Sequence, residues 1–142
     1  MSCPLCQPQN EQVLLQNDVV RIIAVHDDAN APGFCRVIWH AHQKEMTDLS
    51  PSERHLFMHW VWATEQAMRA VLNPDKINLA SFGNMVPHLH WHVIARYAQD
   101  ACFPDAIWAT PKRGPNQHPA LAEDWPNQMR LALSHSHQPL PL

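Results

Sequence analysis

The chain has 142 residues, 46% of them apolar and 16% charged, and a formal net charge of −3. That composition fits one globular domain with a real core rather than a disordered segment. The acidic balance argues against a general nucleic-acid binder, and no apolar run approaches the roughly 18 residues of a membrane span. Met1-Ser2-Cys3-Pro4 lacks the basic and apolar segments of a secretory leader, so a cytoplasmic location is the expectation. In a reducing compartment Cys3, Cys6, Cys35 and Cys102 are read as free thiols or metal ligands rather than disulfides.

In chain order, Val13–Gln16 and Val19–His26 read as strands separated by the turn pair Asn17-Asp18. Asp27–Gly33 reads as a loop and Phe34–His40 as the next strand. Ser50-Pro51-Ser52-Glu53 opens a helix, with Ser50 as N-cap, Pro51 in the first turn and Glu53 closing a capping box. Phe57, Trp60, Val61, Thr64, Met68 and Val71 then recur at helical spacing as a core stripe, and Asn73-Pro74-Asp75 ends the helix. Lys76–Phe82 and Leu89–Arg96 read as two more strands joined through a turn at Gly83-Asn84. Asp100–Pro119 reads as irregular, and a short helix is expected over Asn127–Ser134. The sum is α+β: an antiparallel sheet of about five strands, one long helix and a short C-terminal helix. We expect a single domain over residues 1–142, with a core at about 3–108 and a C-terminal extension at about 109–142. No phosphate-cradling glycine loop is present; 3 glycines stand against 13 prolines.

The chemistry concentrates in Pro87-His88-Leu89-His90-Trp91-His92-Val93-Ile94. Strict alternation on a strand places His88, His90 and His92 on one face, with neighbouring Cα atoms about 6.6–7 Å apart. Imidazoles in a row suit either a metal or nucleophilic and acid–base work on an anion, and the spacing alone leaves both open. A separate pair, Cys3-Pro4-Leu5-Cys6, has ligand spacing, against the alternative of two free thiols near the N-terminus.

The run His88-Leu-His90-Trp-His92-Val-Ile resembles the signature of the histidine-triad (HIT) family. The likeness extends to Asn78, Gly83-Asn84 and Arg96, and more weakly to Asp27/Asp28, Pro32-Gly33 and His42. Ile77–Pro87 and Phe103–Trp108 look like a bacterial branch labelled diadenosine tetraphosphate hydrolase-like. The resemblance implies a homodimer that acts on a nucleoside phosphoramidate or dinucleoside polyphosphate through a nucleotidyl-histidine intermediate. It implies His90 as nucleophile, His92 orienting His90 or contacting phosphate, and His88 near the scissile bond. His92 in the third motif position, where a uridylyltransferase would have Gln, favours a hydrolase. Asn78, Asn84, Asp27 and Arg96 are the implied substrate-binding residues. No metal is required for this chemistry, but similar proteins hold structural zinc through residues that correspond to Cys3, Cys6, His42 and His88. Met85, Phe34 and His26 depart from the family pattern, at positions for a Ser or Thr, a His and a ribose-binding Asp respectively. The alternatives are a zinc-binding protein that uses the His row and a nucleotide-binding scaffold of the same family without useful turnover.

Overall fold

Asn17 folds the chain back on itself. Its Oδ1 accepts from the N–H groups of Val19 and Val20, both at 2.9 Å, so the side chain substitutes for backbone partners in the turn. The computed structural model describes residues 2–115 and 118–137. The end of the expected C-terminal extension, residues 138–142, lies outside them.

Five antiparallel strands form one sheet in the order β1-β2-β3-β5-β4: β1 (Gln12–Gln16), β2 (Val20–Ala24), β3 (Gly33–Trp39), β4 (Lys76–Ala80) and β5 (His90–Arg96). Between β3 and β4 run a one-turn 3₁₀ helix, Met46–Asp48, and the long helix α1, Pro51–Leu72; α2, Trp125–Leu133, follows β5 after an irregular stretch. The expected α+β architecture is the one observed.

Each boundary has a local cause. The Ser50 capping box forms in both directions: Glu53 N–H donates to Ser50 Oγ at 3.2 Å, and Ser50 N–H donates to Glu53 Oε1 at 2.8 Å. Asn73 closes α1 in the left-handed region at φ 46°, which Asn tolerates better than most residues. β1 and β3 each begin one residue earlier than expected, at Gln12 and Gly33, and other strand ends move inward. β2 stops at Ala24 because His26 turns outward, its Nε2 2.6 Å from Gln12 Oε1 and its ring against Trp125. β4 stops at Ala80 because Ser81 Oγ donates to the His90 carbonyl at 2.7 Å, and Phe82 swings into solvent. α2 starts at Trp125, ahead of the expected Asn127, because Trp125 and Pro126 are buried in its first turn.

The strand alternation separates two apolar layers. Ile22, Cys35, Val37, Val93 and Ala95 face α1 and meet Phe57, Trp60, Val61 and Met68. Ile23, Phe34, Ile38 and Ile94 form a smaller cluster with Val25, Ala31 and Ile107 on the opposite face. Gly33 allows the end of α1 to approach the sheet, since a Cβ there would sit 2.6 Å from Leu72 Cδ1 and 3.0 Å from Ala95 Cβ. The second face of the sheet, beyond its apolar cluster, carries the polar residues of the site.

Candidate active site

His90 and His92 are the first and third residues of β5. They project from the face away from α1 and stand in register with Ile38 and Arg36 of β3. Their rings are 5.0 Å apart and nearly perpendicular. His90 Nδ1 lies 2.7 Å from the backbone carbonyl of His88. A carbonyl only accepts, so Nδ1 carries the proton and Nε2 of the neutral ring keeps its lone pair. His90 is 8% exposed, and its ring lines a hollow of about 550 Å³ together with His92, Asn84, Phe82, Met85 and Trp108.

His88 does not share this arrangement. It precedes β5, is 1% exposed, and its Nε2 donates to the Trp39 carbonyl at 2.7 Å. Its Nδ1 faces the sulfurs of Cys3 and Cys6, both at 3.4 Å. His42 Nδ1 stands 3.3 Å from Cys6 Sγ, and the four ligand atoms all lie within 4.8 Å of one another. His88, expected near the scissile bond, has both ring nitrogens turned to the Trp39 carbonyl and the two sulfurs. His92 was expected to orient His90 or contact phosphate; the oxygen that meets His90 Nδ1 is the His88 carbonyl. The Cys2His2 set fits a tetrahedral zinc site by ligand chemistry. The Trp39 carbonyl supplies the second contact that orients a ligating imidazole. Among the described residues no metal-ligating group includes His90 or His92.

Burial sets the charge state of the row. It depresses all three imidazoles; His90 falls below its ordinary value despite the favourable bond to His88, and Arg36 adds to the shift. His92 is pushed down to about 4 by burial, then by His90 and Arg36. Its Nδ1 is buried without a hydrogen-bond partner. Phe34, in place of a polar side chain, packs edge-on beneath His92 at 5.4 Å, and Trp108 meets the same ring at 5.3 Å.

The expected substrate residues divide. Asn84 lines the hollow beside His90 and His92. Asp27 lines a second hollow of about 690 Å³ that reaches Val25 and Arg36. Asn78 pairs with Ile94 and so shares the face of the His pair. Arg96 is the exception. The residue is 1% exposed, and its guanidinium makes a bidentate pair with Asp100 at 2.8 and 3.0 Å. It also donates to the Asp105 carbonyl at 2.6 Å and to Asn78 Oδ1 at 2.7 Å. Burial alone would raise the Asp100 carboxyl, but Arg96 and the N–H groups of Tyr97 and Phe103 outweigh it and hold the group below its ordinary value. Arg96, expected to bind substrate, thus has its donors turned to Asp100, Asn78 and the Asp105 carbonyl, where it clamps the loop after β5. Because a guanidinium only donates, the clamp also fixes the Asn78 amide with its oxygen toward Arg96 and leaves Nδ2 available.

The model of the HIT domain matches residues 7–99. The chain belongs to the HIT family. This HIT chain resembles a histidine-triad protein from Bradyrhizobium japonicum at 25% identity and a TM-score of 0.68, over 88% of this chain and 89% of that one. A Zn-bound histidine-triad family protein from Mycobacterium smegmatis matches at 22% identity and a TM-score of 0.65, over 94% of each chain. A hypothetical histidine-triad nucleotide-binding protein from Sulfolobus tokodaii matches at 15% identity and a TM-score of 0.67, over 93% and 92%. No curated protein matches the HIT chain. No described helix is long and apolar enough to cross a membrane.

Sequence reasoning missed Arg36 and the aromatic wall of Phe82 and Trp108. The signal for Arg36 was a lone charge inside the apolar run Phe34-Cys35-Arg36-Val37-Ile38-Trp39. A cation on a central strand needs either a partner or a ligand.

Proposed function

We propose that this protein is a nucleotide hydrolase or transferase that cleaves a nucleoside phosphoramidate or dinucleoside polyphosphate through His90. By its motif we place it in the bacterial diadenosine tetraphosphate hydrolase-like branch. The observation that carries the reading is the fixed tautomer of His90, with Nδ1–H on the His88 carbonyl and Nε2 left to attack. A nucleophile needs an available lone pair and a ring that does not swing away from it. Burial keeps that ring neutral near pH 7.

In the proposed reaction the Nε2 lone pair forms a bond to phosphorus as the bond from phosphorus to the leaving group breaks. The leaving group departs with a proton taken from solvent. Water then attacks phosphorus, the P–Nε2 bond breaks with its electrons returning to the ring, and the nucleoside monophosphate leaves. The water's second proton returns to solvent and balances the one taken up by the leaving group. His92 contacts the phosphate, and the available Asn78 Nδ2 and Asn84 are placed to hold it or the leaving group. Asp27 faces the ribose in the larger hollow. Cys3, Cys6, His42 and His88 would hold a structural zinc, which would tie the N-terminal loop to the entry of β5 and supply no step of the chemistry. A homodimer is the proposed assembly.

Turnover of a panel of adenosine and guanosine phosphoramidates and dinucleoside polyphosphates tests the reading. Release of a nucleoside monophosphate from at least one class is expected, with loss of that release in His90→Asn. A folded, nucleotide-binding protein inert toward the whole panel would instead favour the scaffold alternative.

A further inference from the structure

Arg21, Arg36 and Arg96 occupy the site face of the sheet on β2, β3 and β5, and of the three only Arg36 lacks an anionic partner. Arg96 is saturated by Asp100 and Arg21 is paired with Glu11. Arg36 has no carboxylate within salt-bridge distance among the described residues. Its Nε is buried without a hydrogen-bond partner. Its guanidinium carbon instead lies 5.3 Å from the centre of the Phe34 ring, a weak interaction that leaves the N–H donors unused. β3 pairs Arg36 directly with His92, so both side chains leave the same face of the sheet at one level.

Arg36 also joins the two hollows. The larger contains Val25, His26 and Asp27; the other contains His90, His92, Phe82, Met85 and Trp108. Pro4, Leu5 and Arg36 line both, and Arg36 alone of the three is charged. A substrate that spans the hollows passes its middle over that guanidinium. The rings beside it are kept neutral by burial and the other two guanidiniums are paired, so the uncompensated positive charge on this face comes from Arg36. A partly buried cation without a partner is costly to the fold, and the cost is recovered when an anion binds. The planar fork of Arg suits two oxygens of one phosphoryl group.

We infer that Arg36 supplies the cationic contact to phosphate in this site, holding an anionic phosphoryl group at the junction of the two hollows beside the neutral contacts of His92 and the asparagines. The inference rests on the reading of His90 as a nucleophile toward phosphorus, but it concerns binding and can be measured without turnover.

The test compares binding of adenosine 5′-monophosphate with that of adenosine, and the guanosine pair likewise, by calorimetry. Wild type and Arg36→Met are measured, and the melting temperature of each is recorded. Wild type is expected to prefer the monophosphate by about ten- to a hundredfold, as for a hydrogen-bonded charge pair. Arg36→Met is expected to lose that preference, keep nucleoside binding, and melt no lower than wild type because no internal partner is orphaned. Raising the salt concentration should weaken the monophosphate and spare the nucleoside in wild type. A preference that persists in Arg36→Met, or a collapse in its melting temperature, overturns the inference, since either shows a guanidinium that serves the fold. Wild type without preference for the monophosphate removes both this inference and the nucleotide reading. A turnover-negative wild type whose phosphate preference depends on Arg36 sinks the enzyme reading alone.

Discussion

The first two members of the histidine row have opposite commitments, one at a structural end and one at a reactive end. His88 has both nitrogens taken, one by the Trp39 carbonyl and one by the thiol cluster. His90 has one nitrogen anchored at 2.7 Å and the other left to the cleft it shares with His92. The residues are of one type, two apart in sequence, and both buried. What separates them is the start of β5 between them, which leaves His88 outside the sheet ladder and puts His90 on its open face. A motif of repeated residues thus supplies a structural group and a reactive group, joined by the His88 backbone oxygen.

The largest effect expected is at the reactive end. His90→Asn should lower turnover by about a thousandfold or more, since the covalent route is lost. Its cost in stability should be modest, about 1 kcal/mol for a changed bond to the His88 carbonyl. Thermal melting beside steady-state kinetics checks both. Equal losses in His90→Asn and His88→Ala would erase the contrast between the two ends.

Arg96→Met should act on the fold. Removing one member of a buried ion pair leaves Asp100 uncompensated, at about 3–5 kcal/mol. Chemical denaturation should show that loss, and the loop around Phe103 and Asp105 should exchange its amide protons faster. Stability like that of wild type would mean that the clamp is not what holds the loop.

The structural end is probed by Cys3→Ser and by chelation. Both should remove bound zinc, measured as metal content, and lower the melting temperature, because a metal bound only by the folded form stabilises it. His88→Ala should do the same while keeping turnover within about tenfold of wild type, or about 1.4 kcal/mol in the barrier. The reason is specific: the atom that orients His90 is the backbone oxygen of residue 88, which the substitution retains.

The smallest effect is the response to pH. The unfolded chain protonates its histidines near 6.5, whereas the folded chain resists protonation of His92 down to about 4. Between those values the unfolded state binds more protons, so stability should fall as pH drops from 6.5 to about 4 and then level off. Activity should persist below the ordinary imidazole range, because the His90 pKa is also depressed by burial. Denaturation midpoints and rates across that range check the two curves.

The order of elements and their helical or strand character were legible because period and caps are local. Ser50 and Glu53 lie three residues apart and meet as expected. The Cys3–Cys6–His42–His88 grouping came from family resemblance rather than spacing, and the fold does bring it together. Arg96 misled because its partners are chosen by the loop that follows: nothing in the residue type distinguishes phosphate from Asp100. Arg36 was overlooked because its meaning depends on pairing with His92 across strands, some 56 positions away by the register. The strand periodicity also promised three equivalent rings, but β5 begins two residues later than His88 and leaves that ring outside it.

The central claim is that His90 reacts through Nε2 and does so independently of the cysteine cluster. The direct measurement is rapid quenching of the protein with a labelled nucleoside phosphoramidate or dinucleoside polyphosphate, followed by peptide mass spectrometry. It is run on zinc-loaded protein and on folded, metal-free Cys3→Ser. The account predicts a nucleotidyl group on the peptide containing His90 in both, absent from His90→Asn. Turnover without that adduct, an adduct on another residue, or an adduct that disappears with the metal from a folded chain would contradict it.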